Sequence, residues 1–298
     1  MAKECNRLVL IGEAMLELSQ AGEGWRLGHG GDTLNTAIHL ARAGHDVAYL
    51  TALGADPFSA GLRAACATEG LDTSLMLTHP ARTAGLYAIT TDAAGERSFT
   101  YWRDTSAVRG LFDLPEIDAA LEQAGGADLL VFSLISLAVL PPPAQSRLLE
   151  LAREVRSKGG QVAFDGNYRP RLWTNAAEAR AARDAAISVA NIGLPTLEDE
   201  AALSGETDAD AVAAHWQGLG CRETVVKLGP GGCRLPDGTI SRPVAVLSPV
   251  DTSGAGDAFN AGYLGARVKG ASEAEAAVAG HALAGWTIMR RGAIPAGD

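Results

Sequence analysis

The stretch Asp251-Thr252-Ser253-Gly254-Ala255-Gly256-Asp257 ends in an aspartate just before a helical pattern, 258–264, that can continue to Gly270. Two glycines before a helix leave backbone N–H groups uncovered, and with the helix dipole these groups attract an anion. Phosphoryl transfer requires such a cradle and a positioned base. The alternative is that Asp257 is only a favourable acidic residue in a first helical turn. We predict Asp257 as the base and the backbone of Gly254, Ala255 and Gly256 as the anion site.

Outward from this stretch, short apolar runs alternate with helical patterns. The runs that predict buried strands are 8–11, 47–53, 129–132, 162–164, 192–194 and 225–226. Helical spacing is found at 33–43, 59–69, 145–156, 178–190 and 208–219. The alternation predicts an α/β fold with a mainly parallel central sheet and helices on both faces. In such sheets ligands bind beyond the carboxyl ends of the strands.

One region breaks this alternation. Segments 86–90 and 97–103 have the pattern of two strands joined by a turn at 92–95. We expect them to form a small β-sheet lid outside the main sheet; the alternative is an edge extension of that sheet. A lid over a cleft keeps water from competing as the phosphoryl acceptor. Residues 1–298 are therefore predicted to form one domain, with a lid from about 14–30 and 86–103.

Composition limits the class of partner. The 298 residues have a formal net charge of −10, which repels nucleic acid and anionic membranes, so we expect neither as a partner. No apolar run reaches membrane-spanning length or resembles a signal-peptide core, and this favours the cytoplasm. The cysteines have no metal-ligand spacing and are predicted to be reduced thiols: Cys5, Cys66, Cys221 and Cys233.

The stretch 251–259 resembles the C-terminal signature of the ribokinase-like (PfkB) carbohydrate kinases. Their N-terminal signature is matched by Gly30-Gly31-Asp32-Thr33-Leu34-Asn35-Thr36-Ala37. The resemblance implies the ribokinase-like fold, ATP as the phosphoryl donor and Mg²⁺ as its metal ion. It further implies that Asp257 deprotonates the acceptor hydroxyl, and that Gly30, Gly31 and Asn35 contact the sugar.

The segment 227–232 resembles the nucleotide-binding glycine turn of the same family. A lysine at its start can reach phosphates as a point charge; the alternative is a surface lysine at a strand end. His281 stands where many relatives have an asparagine beside the adenine. The nucleotide-binding residues implied by the resemblance are Lys227, Gly229, Gly232, Gly254, Gly256 and His281.

The sequence departs from the family at Thr196-Leu197-Glu198-Asp199. Many members have Asn-x-x-Glu there, linked to magnesium and its waters. Asp199 aligns with that glutamate and is predicted to hold Mg²⁺ through water, although the neighbouring glutamates leave the assignment open. The resemblance also allows a monovalent cation beside Asp251 and Thr252, but these residues do not require one.

Two segments indicate the class of acceptor. Tyr101 and Arg103 share a face of one predicted strand, and Arg169 follows the end of another. Guanidinium groups from two segments suggest a carboxylate ligand; the alternative is that they are surface or packing residues. The whole pattern is similar to that of the 2-keto-3-deoxygluconate kinases. In that subfamily the matching residues hold the keto-acid substrate: Tyr87, Tyr101, Arg103 and Arg169.

The resemblance therefore implies transfer of the ATP γ-phosphoryl group to the 6-hydroxyl of 2-dehydro-3-deoxy-D-gluconate, in Entner–Doudoroff-type catabolism of sugar acids. A fructokinase or another neutral-sugar kinase is the nearest alternative. A catalytically silent, sugar-binding regulator is the alternative from another class. A dinucleotide-dependent dehydrogenase is disfavoured, because Gly12-Glu13-Ala14 is not GxGxxG. We also expect a homo-oligomer, because the predicted lid carries several aromatic residues: Tyr87, Phe99, Tyr101 and Trp102.

Overall fold

The computed structural model describes residues 6–22, 24–91, 97–245 and 247–296. Its strands are β1 (Arg7–Ile11), β2 (Met15–Ala21), β3 (Gly24–Gly30), β4 (Asp46–Gly54), β5 (Met76–His79), β6 (Gly85–Thr91), β7 (Arg97–Trp102), β8 (Leu129–Ser133), β9 (Gln161–Asp165), β10 (Ile192–Gly193), β11 (Glu223–Thr224), β12 (Val226–Lys227), β13 (Cys233–Arg234) and β14 (Ile240–Ser241). Its α-helices are α1 (Asp32–Arg42), α2 (Pro57–Thr68), α3 (Ile117–Ala124), α4 (Leu134–Ala138), α5 (Pro142–Ser157), α6 (Ala176–Val189), α7 (Leu197–Ser204), α8 (Ala209–Gly218), α9 (Ala255–Val268) and α10 (Glu273–Ile288).

Seven parallel strands form the central sheet, in the order β11-β10-β9-β8-β1-β4-β5. From β1 the chain first adds strands on one side and then returns to the other. Such a reversal opens a crevice at the carboxyl ends of the strands, where ligands of open α/β sheets bind. The predicted α/β fold class is confirmed.

Helices cover both faces of this sheet. Successive strand residues point to opposite sides, so a strand of consecutive apolar residues makes both faces apolar. Val9 and Ile11 belong to one buried apolar cluster, whereas Leu8 and Leu10 belong to the other. The first cluster includes side chains of α3 to α8, and the second those of α1, α2, α9 and α10. The parallel strands therefore appear in the sequence as continuous apolar runs.

A separate four-stranded sheet has the order β3-β2-β6-β7. Strand β2 pairs antiparallel with β3 and parallel with β6, and β6 pairs antiparallel with β7. Within the described residues its strands pair only with one another, so it is not an edge extension of the main sheet. The predicted turn at 92–95 lies outside the described residues.

The predicted strand at 225–226 is divided between two sheets. The last strand of the central sheet is Glu223–Thr224, and Val225 continues its ladder by donating its N–H to Gly193 O at 2.8 Å. Val226 and Lys227 then pair antiparallel with β13 in a three-stranded sheet, β12-β13-β14. Both valines are buried, so their hydrophobicity does not distinguish the two sheets. In the described part of the chain, no helix has the length and apolar character needed to cross a membrane.

Candidate active site

A cleft of about 1300 Å³ lies between the carboxyl ends of the central strands and the four-stranded sheet. Pockets for one small molecule are usually about 300–1,000 Å³, so this cleft has room for two substrates. Gly30 is the one predicted site residue that does not line it. The others do: Gly31, Asn35, Tyr87, Tyr101, Arg103, Arg169, Asp199, Lys227, Gly229, Gly232, Gly254, Ala255, Gly256, Asp257 and His281.

Asp257 lies in the first turn of α9 and is buried, with 9% of its surface exposed. Gly254 precedes the helix with φ of 69°, in the left-handed region that favours glycine. A Cβ there would lie 2.5 Å from the Cβ of Ala293, so the C-terminal segment closes directly over the glycine turn. That segment is held in place by His39 of α1, whose Nε2 lies 3.0 Å from Ala293 O.

The two predicted signatures meet at Asp257, whose backbone oxygen also accepts a 3.2 Å hydrogen bond from Thr36 Oγ1. Asn35 Nδ2 donates to Asp257 Oδ2 at 2.7 Å, although the residues are 222 positions apart. Asn35 Oδ1 is buried and has no hydrogen-bond partner among the described residues. A buried polar atom without a partner is costly, so this oxygen is well suited to accept a hydrogen bond from a ligand hydroxyl. Gly31, with φ of 141°, lets the start of α1 lie close to the backbone of Glu13, because a Cβ at position 31 would lie 2.2 Å from Glu13 O.

Burial raises the pKa of Asp257 to about 8, and the negative charges of Asp32 and Asp165 contribute to the rise. The hydrogen bond from Asn35 and the ammonium of Lys227 act in the opposite direction. A general base works best when its pKa is near the working pH. The carboxyl group of Asp257 therefore has both the position and the proton affinity of a base.

Lys227 is not a surface lysine. Its side chain is buried, and its Nζ donates to Asp165 Oδ1 at 3.0 Å and to Asn260 Oδ1 at 3.1 Å. A Cβ on Gly256 would lie 3.7 Å from this Nζ, so the ammonium is next to the glycine turn. Lys227 therefore places a positive charge beside the backbone groups that form the candidate anion site.

The part of the cleft predicted to bind the nucleotide is formed by the turn 229–231 and by α10. Gly229 and Gly232 have positive φ angles and line the cleft. The ring of His281 packs against that of Phe259, with 5.2 Å between the ring centroids, and His281 Nε2 lies 3.1 Å from Ser241 O. Burial lowers the pKa of His281, which favours a neutral imidazole in this apolar part of the cleft.

Both predicted substrate arginines line the cleft, and each already pairs with a carboxylate of the protein. Arg103 Nη2 donates to Glu13, and both side chains are buried. Arg169 Nη1 lies 3.1 Å from Asp199 Oδ1, and the Arg169 side chain is about half exposed. The guanidinium of Arg169 is therefore the more accessible of the two.

The three acidic residues in the first turn of α7 point to two different sides of the helix. Glu198 and Asp199 line the cleft, and burial raises the pKa of Asp199. Glu200 points the other way: it accepts hydrogen bonds from Arg183 and, at 3.0 Å, from Trp216 Nε1. Among the described residues, no three His, Cys, Asp or Glu side chains form a group that could hold a metal ion without other ligands.

Sequence reasoning missed several polar residues of the cleft. Asp32 accepts a 3.1 Å hydrogen bond from Asn167, and Glu17 accepts one from the Tyr87 hydroxyl. Glu13 directly follows β1, and Asp165 ends β9. The signal that could have found Glu13 and Asp165 is their position at the carboxyl ends of predicted strands. Their partners lie on other elements and leave no local signal.

Comparison with known proteins gives a consistent result. The family model described as "pfkB family carbohydrate kinase" matches residues 6–297. The 2-dehydro-3-deoxygluconokinase of Dickeya dadantii is 41% identical over 297 residues, covering 96% of each chain. A fructokinase of Salmonella typhimurium is 31% identical over 262 residues, covering 86% of this chain and 82% of the other.

A solved structure with the same architecture is that of aminoimidazole riboside kinase from Salmonella enterica, complexed with aminoimidazole riboside and an ATP analog. It superposes with a TM-score of 0.83 at 26% sequence identity, and covers 97% of this chain and 96% of that one.

Proposed function

Because the chain belongs to the pfkB family of carbohydrate kinases, we propose that it transfers the γ-phosphoryl group of ATP to the 6-hydroxyl of 2-dehydro-3-deoxy-D-gluconate. The products are the 6-phosphate and ADP. The observation that carries the proposal is the buried contact between Asn35 and Asp257 at the start of α9. The contact supports the proposal because it joins a carboxyl group with a raised pKa to an amide whose oxygen lacks a partner among the described residues, beside the glycine turn that begins α9.

In the proposed reaction Asp257 takes the proton of the 6-hydroxyl, and the hydroxyl oxygen attacks the γ-phosphorus. The bond from that phosphorus to the β,γ-bridging oxygen breaks, and ADP leaves. The backbone N–H groups of Gly254, Ala255 and Gly256 stabilise the charge on the transferring group, with the help of the α9 dipole. Lys227 adds a positive charge beneath the same turn.

The sugar acid is held from three directions in this proposal. Gly31 and Asn35 lie at its hydroxyl groups, with Gly30 behind them, and the two tyrosines of the four-stranded sheet, Tyr87 and Tyr101, cover it. Arg169 and Arg103 bind its carboxylate, and their charge-assisted hydrogen bonds align the distant hydroxyl with the phosphoryl group. We propose that residues 1–298 act as one kinase domain, with the four-stranded sheet as its lid.

The nucleotide is proposed to bind along Gly229, Gly232 and His281, with its phosphates toward Gly254 and Gly256. The carboxylates of Glu198 and Asp199 fit a hard cation that keeps most of its waters, and Asp199 would hold Mg²⁺ through water. When bound, Mg²⁺ neutralises charge on the nucleotide phosphates. A monovalent cation beside Asp251 and Thr252 stays a prediction.

The test is a coupled assay of ADP release with 2-dehydro-3-deoxy-D-gluconate and fructose, and ³¹P NMR of the product. We expect kcat/KM for the sugar acid to exceed that for fructose by at least about 100-fold, as charge-assisted bonds of ~1.5–3 kcal/mol each allow. The Asp257→Asn variant should lose about 10²–10⁴-fold in kcat. A preference for fructose would identify a neutral-sugar kinase. Sugar binding without ADP release would identify a silent regulator.

We also propose a homo-oligomer in which the outer face of the four-stranded sheet contacts a second copy of the chain. Tyr87, Phe99 and Tyr101 line the cleft on the inner face of the sheet, so the proposed contact uses the outer face. Trp102 lies on the outer face, where Trp25 and Leu27 are also at least half exposed. Light scattering should show an assembly that Trp102→Glu dissociates; a monomeric parent would exclude the proposal.

A further inference from the structure

Three buried side chains form a closed triangle of hydrogen bonds beneath the glycine turn. Lys227 Nζ donates to Asp165 Oδ1 at 3.0 Å and to Asn260 Oδ1 at 3.1 Å. Asn260 Nδ2 donates to Asp165 Oδ2 at 2.8 Å, which closes the triangle. The exposed fractions are 6% for Asp165, 7% for Lys227 and 2% for Asn260, so water contributes little to their solvation.

The triangle connects three elements at the point where the base is held. Asp165 is the last residue of β9, Lys227 ends β12, and Asn260 lies on α9. Asn260 follows Asp257 by three residues, so the two side chains project from neighbouring turns of one helical face. The first turn of α9 is thereby attached to the carboxyl end of the central sheet by side chains as well as by its backbone.

A buried ion pair is not explained by stability alone. Desolvation of the two charges largely offsets their attraction, and apolar residues of similar volume often stabilise a fold equally well. The hydrogen bonds of Asn260 satisfy both charged partners, which keeps the ammonium in one fixed place. A fixed charge is useful where a nearby group must change its protonation state.

The groups that face Asp257 come from several elements. The acidic side chains are Asp32 from α1 and Asp165 from β9, and the Tyr87 hydroxyl from β6 is also close enough to interact electrostatically. Lys227 from β12 is a cation that favours ionised Asp257. The ammonium therefore opposes the two neighbouring carboxylates, and its position determines how strongly it does so.

We propose that Asp165 and Asn260 are positioning residues, which hold the Lys227 ammonium beneath the first turn of α9 so that Asp257 is correctly placed and ionised for proton abstraction. This inference rests on the proposed function for the role of Asp257. It goes beyond that function because the three side chains act on the base through charge and geometry, without contact with the sugar.

The charges of the triangle give the proposal a directional test. Lys227→Met removes the cation and should move the acid limb of the kcat/KM profile to higher pH, by on the order of one pH unit. Asn260→Asp keeps the side-chain size, adds a negative charge, and should move the limb in the same direction. Asp165→Asn keeps an oxygen that can accept from Lys227 but removes a negative charge that itself raises the pKa of Asp257, so it should move the limb to lower pH. Simple structural damage would lower kcat without these opposite shifts.

The matched control is Arg267→Met. Arg267 pairs with Glu223 at 2.7 Å near the other end of the same helix, about 15 Å along α9 from Asp257. This variant also loses an ion pair of α9, and thermal unfolding will show its effect on stability. Its acid limb should coincide with that of the parent. A shift of similar size in Arg267→Met would overturn the proposal.

A second readout separates this inference from the sugar assignment. The ¹³C NMR titration of the Asp257 carboxyl group, assigned by its loss in Asp257→Asn, is measured on the free protein and needs no substrate. We expect the midpoint to rise in Lys227→Met and Asn260→Asp and to fall in Asp165→Asn. If Lys227→Met does not unfold cooperatively, Asn260→Asp replaces it. Unchanged midpoints, or shifts in one common direction, would refute the proposal even if the parent phosphorylates the sugar acid.

Discussion

Asn35 and Asp257 share a 2.7 Å hydrogen bond across the junction of α1 and α9. The amide donates to one carboxylate oxygen, and its own oxygen faces the cleft without a partner among the described residues. One side chain can thus orient the base and bind a hydroxyl of the acceptor at the same time. Orientation of the carboxyl group depends on the amide, because a carboxylate of the same shape cannot donate to Asp257.

This relationship predicts different results for two substitutions of Asn35. Asn35→Ala loses one hydrogen bond to a charged group, so kcat/KM should fall by roughly 10–150-fold. Asn35→Asp retains the shape but places a second negative charge against Asp257. Its acid limb should move to higher pH, because like charges raise the pKa of a carboxyl group. Steady-state kinetics from pH 6 to 10 measure both effects, and identical profiles for the two variants would contradict the interpretation.

The pH dependence of the parent enzyme follows from the pKa of Asp257, which burial raises to about 8. The protonated carboxyl group cannot accept the hydroxyl proton. We therefore expect kcat/KM, which reports the free enzyme, to rise roughly tenfold between pH 7 and pH 9. The rise should be absent from the residual activity of Asp257→Asn. A profile that is flat over this range would indicate that Asp257 is already ionised in the free enzyme.

The same raised pKa predicts that the base destabilises the fold at high pH. The folded-state pKa of Asp257 lies above the usual value of 3.8, so its stabilising contribution is complete at low pH and is lost as pH rises toward 8. Asp257→Asn does not titrate. Its free energy of unfolding should exceed that of the parent by a few kcal/mol at pH 9, on the basis of ~1.4 kcal/mol per pKa unit. Denaturant melts at pH 5 and pH 9 measure the difference, which should be smaller at pH 5.

Arg169 should determine the preference for an acid over a neutral sugar. Its guanidinium is accessible in the cleft, and Arg169→Ala should raise KM for 2-dehydro-3-deoxy-D-gluconate by roughly 10–150-fold. Activity on fructose should change little, because fructose has no carboxylate. Arg171 is exposed two residues further on, outside the lining of the cleft, and Arg171→Ala is the matched control. An equal loss of activity on both sugars would show that Arg169 does not act by binding the carboxylate of the substrate.

The buried pair of Arg183 and Glu200 should support the wall of the cleft that contains Glu198 and Asp199. Both side chains are less than 5% exposed, and Glu200 adjoins Asp199 in α7. Arg183→Met leaves a buried carboxyl group without its charged partner and should cost about 3–5 kcal/mol of unfolding free energy. The double variant Arg183→Met with Glu200→Leu should recover much of this loss. Urea denaturation provides the comparison, and equal stabilities of the two variants would show that the pair is not coupled.

The elements that sequence predicted correctly are those with local signals. Helix α9 follows from two glycines and a helical pattern, and the two sheets follow from the change between continuous apolar runs and alternation. The division of the predicted strand 225–226 between two sheets was not foreseen, because the hydrophobicity of a buried valine does not show which sheet buries it. The local sequence pattern does not show which distant residues will be the hydrogen-bond partners of a side chain.

The candidate site shows the same division. Asn35 and Asp257 could be selected from their motifs, and the structure brings them into contact. The partners of Lys227 could not be predicted, because Asp165 and Asn260 lie 62 and 33 residues away and reach it only through the tertiary fold. The pairing of Arg103 with Glu13 was missed for the same reason, since 90 residues separate them.

The closure of Ala293 over Gly254 has a consequence for how the enzyme is made. The glycine turn lies against Ala293, which is synthesised after it, and Asp257 is hydrogen-bonded to a helix that is synthesised 222 residues earlier. The central sheet can begin to form during translation, whereas the candidate anion site is completed only when the residues around Ala293 have emerged. A nascent or prematurely terminated chain is therefore expected to fold in part without consuming ATP.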